Sequence, residues 1–260
     1  ARMIEAHLPH GFYANACKIH ADNSGYVEYV AGEELLNLAA KHDLVIRMRF
    51  RAGDFVTPQS ILMLVSPKET VDDEIADSLR TLFILGSQRT DAQNLRFQFN
   101  QLVEVAMRAL SPGVNDPFTA MLCMDWLQSA LENCVSRELP AANRYDDGRN
   151  LRIIAEPELF SNFASLVFDQ LRPYVCVDRN AAIHMMEMLA KIAATIPDNA
   201  RRKMLVRYAS LLRRECRRNL KDQQGLRLLT ERHRSMIWLL TDSNYRQHVF
   251  ETGDWIGGRA

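Results

Sequence analysis

Residues 108–120 read Arg-Ala-Leu-Ser-Pro-Gly-Val-Asn-Asp-Pro-Phe-Thr-Ala, a polar, turn-forming stretch between two long segments with apolar residues at helical spacing. Upstream, Leu95, Phe99, Leu102, Val103, Ala106 and Leu110 predict an amphipathic helix over about 94–110. Ser111 precedes Pro112, and a residue before proline is pushed out of the helical region, so the helix stops there. Gly113 can supply the positive φ of a tight reversal. Asp116 followed by Pro117 pairs a good N-cap with the one residue suited to a first helical position. Ala120, Met124, Leu127, Leu131 and Val135 then share one face of a second helix. The stretch is therefore a helix–corner–helix.

Two uses of that corner follow from its residue types. In the first, Arg108 complements the negative end of one helix and Asp116 the positive end of the next, and the corner is a well-capped hairpin. In the second, Arg108, Ser111, Asn115, Asp116 and Thr119 converge with exposed amides to hold an anion or polar ligand, Asp116 serving as acid/base if there is catalysis. Residue chemistry leaves both open.

SPGVNDPFTA, with Arg89-Thr90 upstream and Gln101-Leu102-Val103 between, resembles the signature of a family of predicted bacterial inner-membrane proteins, domain of unknown function 2254. The resemblance extends from Gly25-Tyr26-Val27 to the basic helices near the C-terminus. It implies the soluble, cytoplasmic part of an inner-membrane protein, whose membrane-spanning helices precede this region in the family and would be its partner. The family pattern adds Arg89 to the candidate ligand residues, near Asp116. Where members carry Gln-Asp, this chain has Gln93-Asn94, which puts in doubt any role of that carboxylate here. The family brings no agreed activity.

The bulk numbers fit a folded domain. A chain of 260 residues with 47% hydrophobic and 25% charged residues can bury a substantial core. Lys+Arg and Asp+Glu both total 32, so no global field calls for nucleic acid. No apolar run approaches the ~20 residues of a membrane span, and no signal-peptide pattern opens the chain. Five scattered cysteines, Cys17, Cys123, Cys134, Cys176 and Cys216, argue against a disulfide framework.

The organisation predicted is mainly α: a small β-rich module over residues 1–69 and an α-helical body over 70–260. In the first, Leu44, Ile46, Met48 and Phe50 alternate with Val45, Arg47, Arg49 and Arg51, the mark of a half-buried strand. Gly25-Tyr26-Val27 and Gly53-Asp54-Phe55-Val56 are similar to barrel-sandwich modules of lipoyl-type and membrane-fusion proteins, but no lysine stands in a Met-Lys-Met setting, so no prosthetic group is expected.

Thr70 and Asp73 form a capping box for a helix whose face runs through Ile75, Leu79, Leu82 and Phe83 to Gly86. Residues 143–150 read as a loop and 151–155 as a short strand. Pro157 opens a helix that Pro173 ends, Asp178 and Asp198 cap two more, and Met185, Met186 and Met188 pack inward. Over residues 201–221 nine cations face the single acid Glu215, and Arg213, Arg214, Arg217 and Arg218 are candidates to face anionic lipid or another anion. Phosphate loops, nucleophile elbows and zinc motifs are absent from the sequence, and no metal or cofactor is expected.

The function expected is a non-enzymatic domain that senses, gates or assembles, with homo-oligomerisation as a corollary. The alternatives are a hydrolase-like enzyme built on Asp116 and a purely structural oligomerisation domain.

Overall fold

The computed structural model describes residues 8–136 and 141–252. Their contacts divide into two compact units: residues 8–98 with 141–158, and residues 99–136 with 159–252. Helices dominate, and the strands all fall in the first unit, so the chain is mainly α with a small β module.

That first unit holds two sheets. Strands β1 (Cys17–His20), β5 (Ile61–Ser66), β3 (Val45–Met48), β8 (Leu151–Ile154) and β7 (Asn143–Tyr145) lie side by side in that order. All neighbours are antiparallel except β3 and β8, which run parallel. The second sheet is β4 (Phe55–Val56), β2 (Gly25–Val30) and β6 (Phe83–Gly86), antiparallel throughout. Helices α1 (Gly32–Lys41) and α2 (Asp73–Thr81) complete it. Leu44 and Ile46 are fully buried and join Val27, Leu35, Met63, Leu79 and Ile153 in one core, as the alternation at 44–50 requires.

Three local expectations are corrected here. Asp72, not Thr70, caps α2, its Oδ1 accepting from the Ile75 amide at 2.8 Å. The helix ends at Thr81, and Phe83–Gly86 is a strand against β2. An apolar run as short as Leu82–Leu85 fits either state, and pairing with β2 satisfies its backbone groups. Asn143–Tyr145, read as loop, is the edge strand β7, followed by the turn at Asp146-Asp147-Gly148.

Arg152 locks this edge. It is 7% exposed, and its guanidinium donates to Asp146 at 2.7 Å and Asp43 at 2.6 Å, tying the β7–β8 turn to the turn before β3. Those bonds hold the Asp146 carboxyl below the usual carboxylate value, the Arg152 hydrogen bond being the largest cause.

The second unit is helical, and the division falls within the first turn of α3 (Leu95–Ala109). After it come α4 (Pro117–Ser136), α5 (Phe160–Val175), α6 (Arg179–Thr195), α7 (Asn199–Asn219), α8 (Gln223–Thr241) and α9 (Ser243–Thr252). Helix α6 is central, packing on α4, α5, α7, α8 and α9. Met185, Met186 and Met188 are buried there, beside Leu189 and Ile192. Side-chain caps recur: Asp178 accepts from Ala181, Asp198 from Ala200 and Arg201, Asp222 from Gln224, and Asp242 from Asn244 and Tyr245. Each satisfies amides that a helix start leaves orphaned and places a negative charge at the positive end of the dipole.

Two prolines behave otherwise than expected. Helix α5 begins at Phe160 rather than Pro157, and Pro173 lies exposed in its last turn while the helix runs on to Val175. So near a terminus the proline sacrifices a single bond, and the buried Leu171 and Val175 carry the turn past it.

Candidate functional site

The corner between α3 and α4 is closed by its own backbone. Ser111 O accepts from the amides of Val114 (3.1 Å) and Asn115 (2.9 Å), and Ala109 O accepts from Asp116 (2.8 Å). The reversal is made at Asn115, with φ +50°, and not at Gly113, which does not take a positive φ. Asparagine tolerates the left-handed region because its short amide can bond locally.

Asp116 caps α4, its Oδ1 accepting from the Thr119 amide at 3.1 Å and its Oδ2 from the Thr119 hydroxyl at 2.5 Å. The hydroxyl bond first, then the amide bond, holds this carboxyl below its ordinary value. A general acid working near neutrality needs a shift the other way. Arg108 is exposed and pairs with Glu104 one turn back on its own helix, while the Ser111 hydroxyl donates to Arg108 O at 2.6 Å. Ser111, Asp116 and Thr119 are thus bonded within the corner, while Arg108 is held by Glu104 on the helix before it.

Arg89 belongs to the first unit, where its guanidinium lies over the Tyr26 ring, 5.1 Å from the centroid. It opens a strap along β2. The Thr90 hydroxyl donates to Glu28 O at 3.4 Å, and the Gln93 amide makes a paired contact with Val30, accepting from its N at 3.0 Å and donating to its O at 3.1 Å. Asn94, buried, then accepts from the Phe97 amide at 3.1 Å and caps α3. Asn caps a helix about as well as Asp, so this cap at position 94 needs no carboxylate. Its amide packs against Gly53, where φ is +94° and a Cβ would overlap the Asn94 side chain.

The basic segment separates into two populations. Arg202 is buried and structural, donating to Ile196 O and Pro197 O and so closing the end of α6. Arg213 is half-buried, and its charge bears on His233. Lys203, Arg207, Arg214, Arg217 and Arg218 are exposed. At 3.6 residues per turn these five fall within an arc of roughly 100° on α7. Among the described residues none of the five has an ion-pair partner. Glu215, the acid of that helix, is taken by Arg172 at 3.0 Å.

Three features escape a reading of sequence alone. Phe118, Leu122 and Trp126 stand out from α4 at 68%, 62% and 69% exposure. Their i, i+4, i+8 spacing marks one helix face, but spacing alone does not say that packing leaves that face uncovered. His233 of α8 contacts the Ser210 hydroxyl through Nε2 at 2.9 Å. Burial, then the Arg213 charge, pushes its pKa down to about 4. Because Ser210 also donates to Val206 O at 2.9 Å, the imidazole N–H is the donor to it, the reverse of a base–nucleophile pair. Arg232, 3% exposed on α8, donates to Glu187 of α6 at 2.7 Å. Among the described residues no group of three or more His, Cys, Asp or Glu could hold a metal ion. No described helix is long and apolar enough to cross a membrane.

The profile of the family described as predicted membrane protein, DUF2254, matches residues 4–191. An uncharacterized protein of Mycobacterium bovis, Mb1321c, and one of Mycobacterium tuberculosis, Rv1290c, are each 28% identical over 215 residues, 81% of this chain and 41% of theirs. The chain therefore spans less than half the length of these relatives. No solved structure matches. This chain belongs to the DUF2254 family of predicted membrane proteins.

Proposed function

We propose that this chain, as a member of a family of predicted membrane proteins, is a non-catalytic assembly domain that seats the exposed face of α7 against an anionic membrane surface. One observation carries the reading: five exposed cations share one face of α7, while Arg201, Arg202 and Glu215 are tied up within the fold. Cations without acid partners near a bilayer gain about 1 kcal/mol each from acidic headgroups. In this reading the α3–α4 corner is a rigid joint. Arg108, Ser111, Asn115, Asp116 and Thr119 fix the angle between two helices, and the Arg89–Asn94 strap braces β2 in the other unit.

Co-sedimentation with liposomes tests it. Binding is expected to vesicles containing phosphatidylglycerol, to weaken as salt rises, and to be negligible on pure phosphatidylcholine. Replacing Arg214, Arg217 and Arg218 by Gln removes three of the five charges and weakens partitioning on the order of 100-fold. Equal binding by wild type and triple variant, or no binding to acidic vesicles, refutes the proposal.

A further inference from the structure

The α4 stripe is independent of the α7 face and points to a different occupant. On α4, Phe118, Leu122 and Trp126 are 68%, 62% and 69% exposed, and Val114 of the corner just before the helix is 61% exposed. Aromatic side chains carry ~150–250 Å² each, so the four together expose on the order of 500 Å² of apolar surface. A standard interface buries about 800 Å² per partner, of which roughly 56–65% is apolar, so the stripe has the size of one partner's apolar share.

Its pattern is self-complementary. Phe118 and Trp126 lie one helical turn to either side of Leu122. If two copies of α4 cross antiparallel about a two-fold axis at Leu122, the residue k places after it faces the residue k places before it in the partner. Phe118 then meets Trp126 across the axis, and Leu122 meets its own copy. Of the acids on this side of the helix, Asp125 is engaged within its own chain, its Oδ1 2.7 Å from His184 Nε2 of α6, and would face the uncharged Thr119 of the second copy. A parallel pair would set Asp125 against Asp125, a like-charge contact. A bilayer is another apolar occupant, but Asp125, three residues after Leu122 with its side chain 54% exposed, would carry a carboxylate to the acyl region beside the stripe.

We infer that the Phe118–Leu122–Trp126 face of α4 is an isologous interface at which a second copy of this chain docks antiparallel.

Analytical ultracentrifugation of the 260-residue chain tests this with a charge exchange. Wild type is expected to sediment as a dimer at micromolar concentration. Phe118→Lys and Trp126→Glu each remove a central aromatic anchor and weaken the dimer by at least ~30-fold. The double variant places the new cation opposite the new anion and recovers part of that loss, whereas in a parallel pair it would set like charges together. Both side chains are exposed, so unchanged far-UV circular dichroism is expected, and Leu122→Cys should cross-link to itself on mild oxidation while Ser129→Cys should not. A monomeric wild type, single variants that dimerise like wild type, or a double variant weaker than both singles overturns the proposal. Flotation of monomeric wild type on neutral vesicles, lost in Trp126→Glu, overturns it in favour of lipid.

Discussion

Replacing Glu187 by Gln should be among the costlier single changes in the helical unit. Arg232 is almost wholly buried between α6 and α8, and a guanidinium keeps its charge in proteins. Its Nε donates to Glu187 Oε1 at 2.7 Å, and its Nη1 is buried without a hydrogen bond among the described residues. Two unit charges about 4 Å apart at an effective dielectric near 20 gain roughly 4 kcal/mol. The Glu187 side chain is 21% exposed, which lets solvent trim that figure to about 2–3 kcal/mol.

Gln keeps an acceptor oxygen and the volume, so the variant removes the charge and little else. For a unit of this size each kcal/mol moves the melting temperature by about 2–4 °C, giving a fall of roughly 5–10 °C in calorimetry or thermal circular dichroism. The partner variant Arg232→Met leaves only the largely buried Glu187 carboxylate behind, and the double variant, which strands no charge, should cost less than the sum of the two. A Glu187→Gln variant within about 0.5 kcal/mol of wild type, or strictly additive costs, would refute the claim that the buried cation depends on its anion.

Two further outcomes concern pH. The folded Asp116 carboxyl titrates below its ordinary 3.8, so its contribution is complete above that value and is lost as pH falls through the lower, folded one. Asp116→Asn should therefore melt below wild type at pH 7 and converge with it in acid, with Asp116→Ala lower than either; an Asn variant as stable as wild type at pH 7 contradicts the cap described here. For His233 the folded value is depressed from 6.5 to about 4, so the unfolded chain takes up the proton first. Stability should be full above pH 6.5 and decline from there towards 4, and the His233 ring resonances should stay still between pH 7 and 5; a titration centred near 6.5 would show the imidazole to be hydrated.

Features set by neighbours in sequence were legible at once. Asp116-Pro117, Asp178 and Asp198 mark helix starts because a cap needs only the next three residues. The 44–50 alternation reports burial because strand side chains alternate by geometry, and the methionines at 185–188 lie inward because helical spacing puts them beside Leu189. Within the corner, the residue types allowed a positive φ at either Gly113 or Asn115. The choice of Asn115 came from which carbonyls the 109–116 amides reach.

By itself, then, the sequence determined the family, the mainly helical body with its small β module, and the caps at Asp116, Asp178 and Asp198, all products of local patterning and of a motif too long and irregular to arise by chance. The tertiary structure decided what depends on partners far along the chain. Phe83–Gly86 is strand because β2 offers its edge, 53 or more residues away, and an apolar run has no state of its own until such an edge is present. Arg202 and Arg232 are interior while Arg214, Arg217 and Arg218 face outward, although all five are arginines on helices. Composition records the charge, and only packing records which charges the fold has already neutralised. The same holds for Phe118, Leu122 and Trp126: their spacing names a helix face, and only the packed unit shows that α4 turns its other face to the core and leaves this one outside.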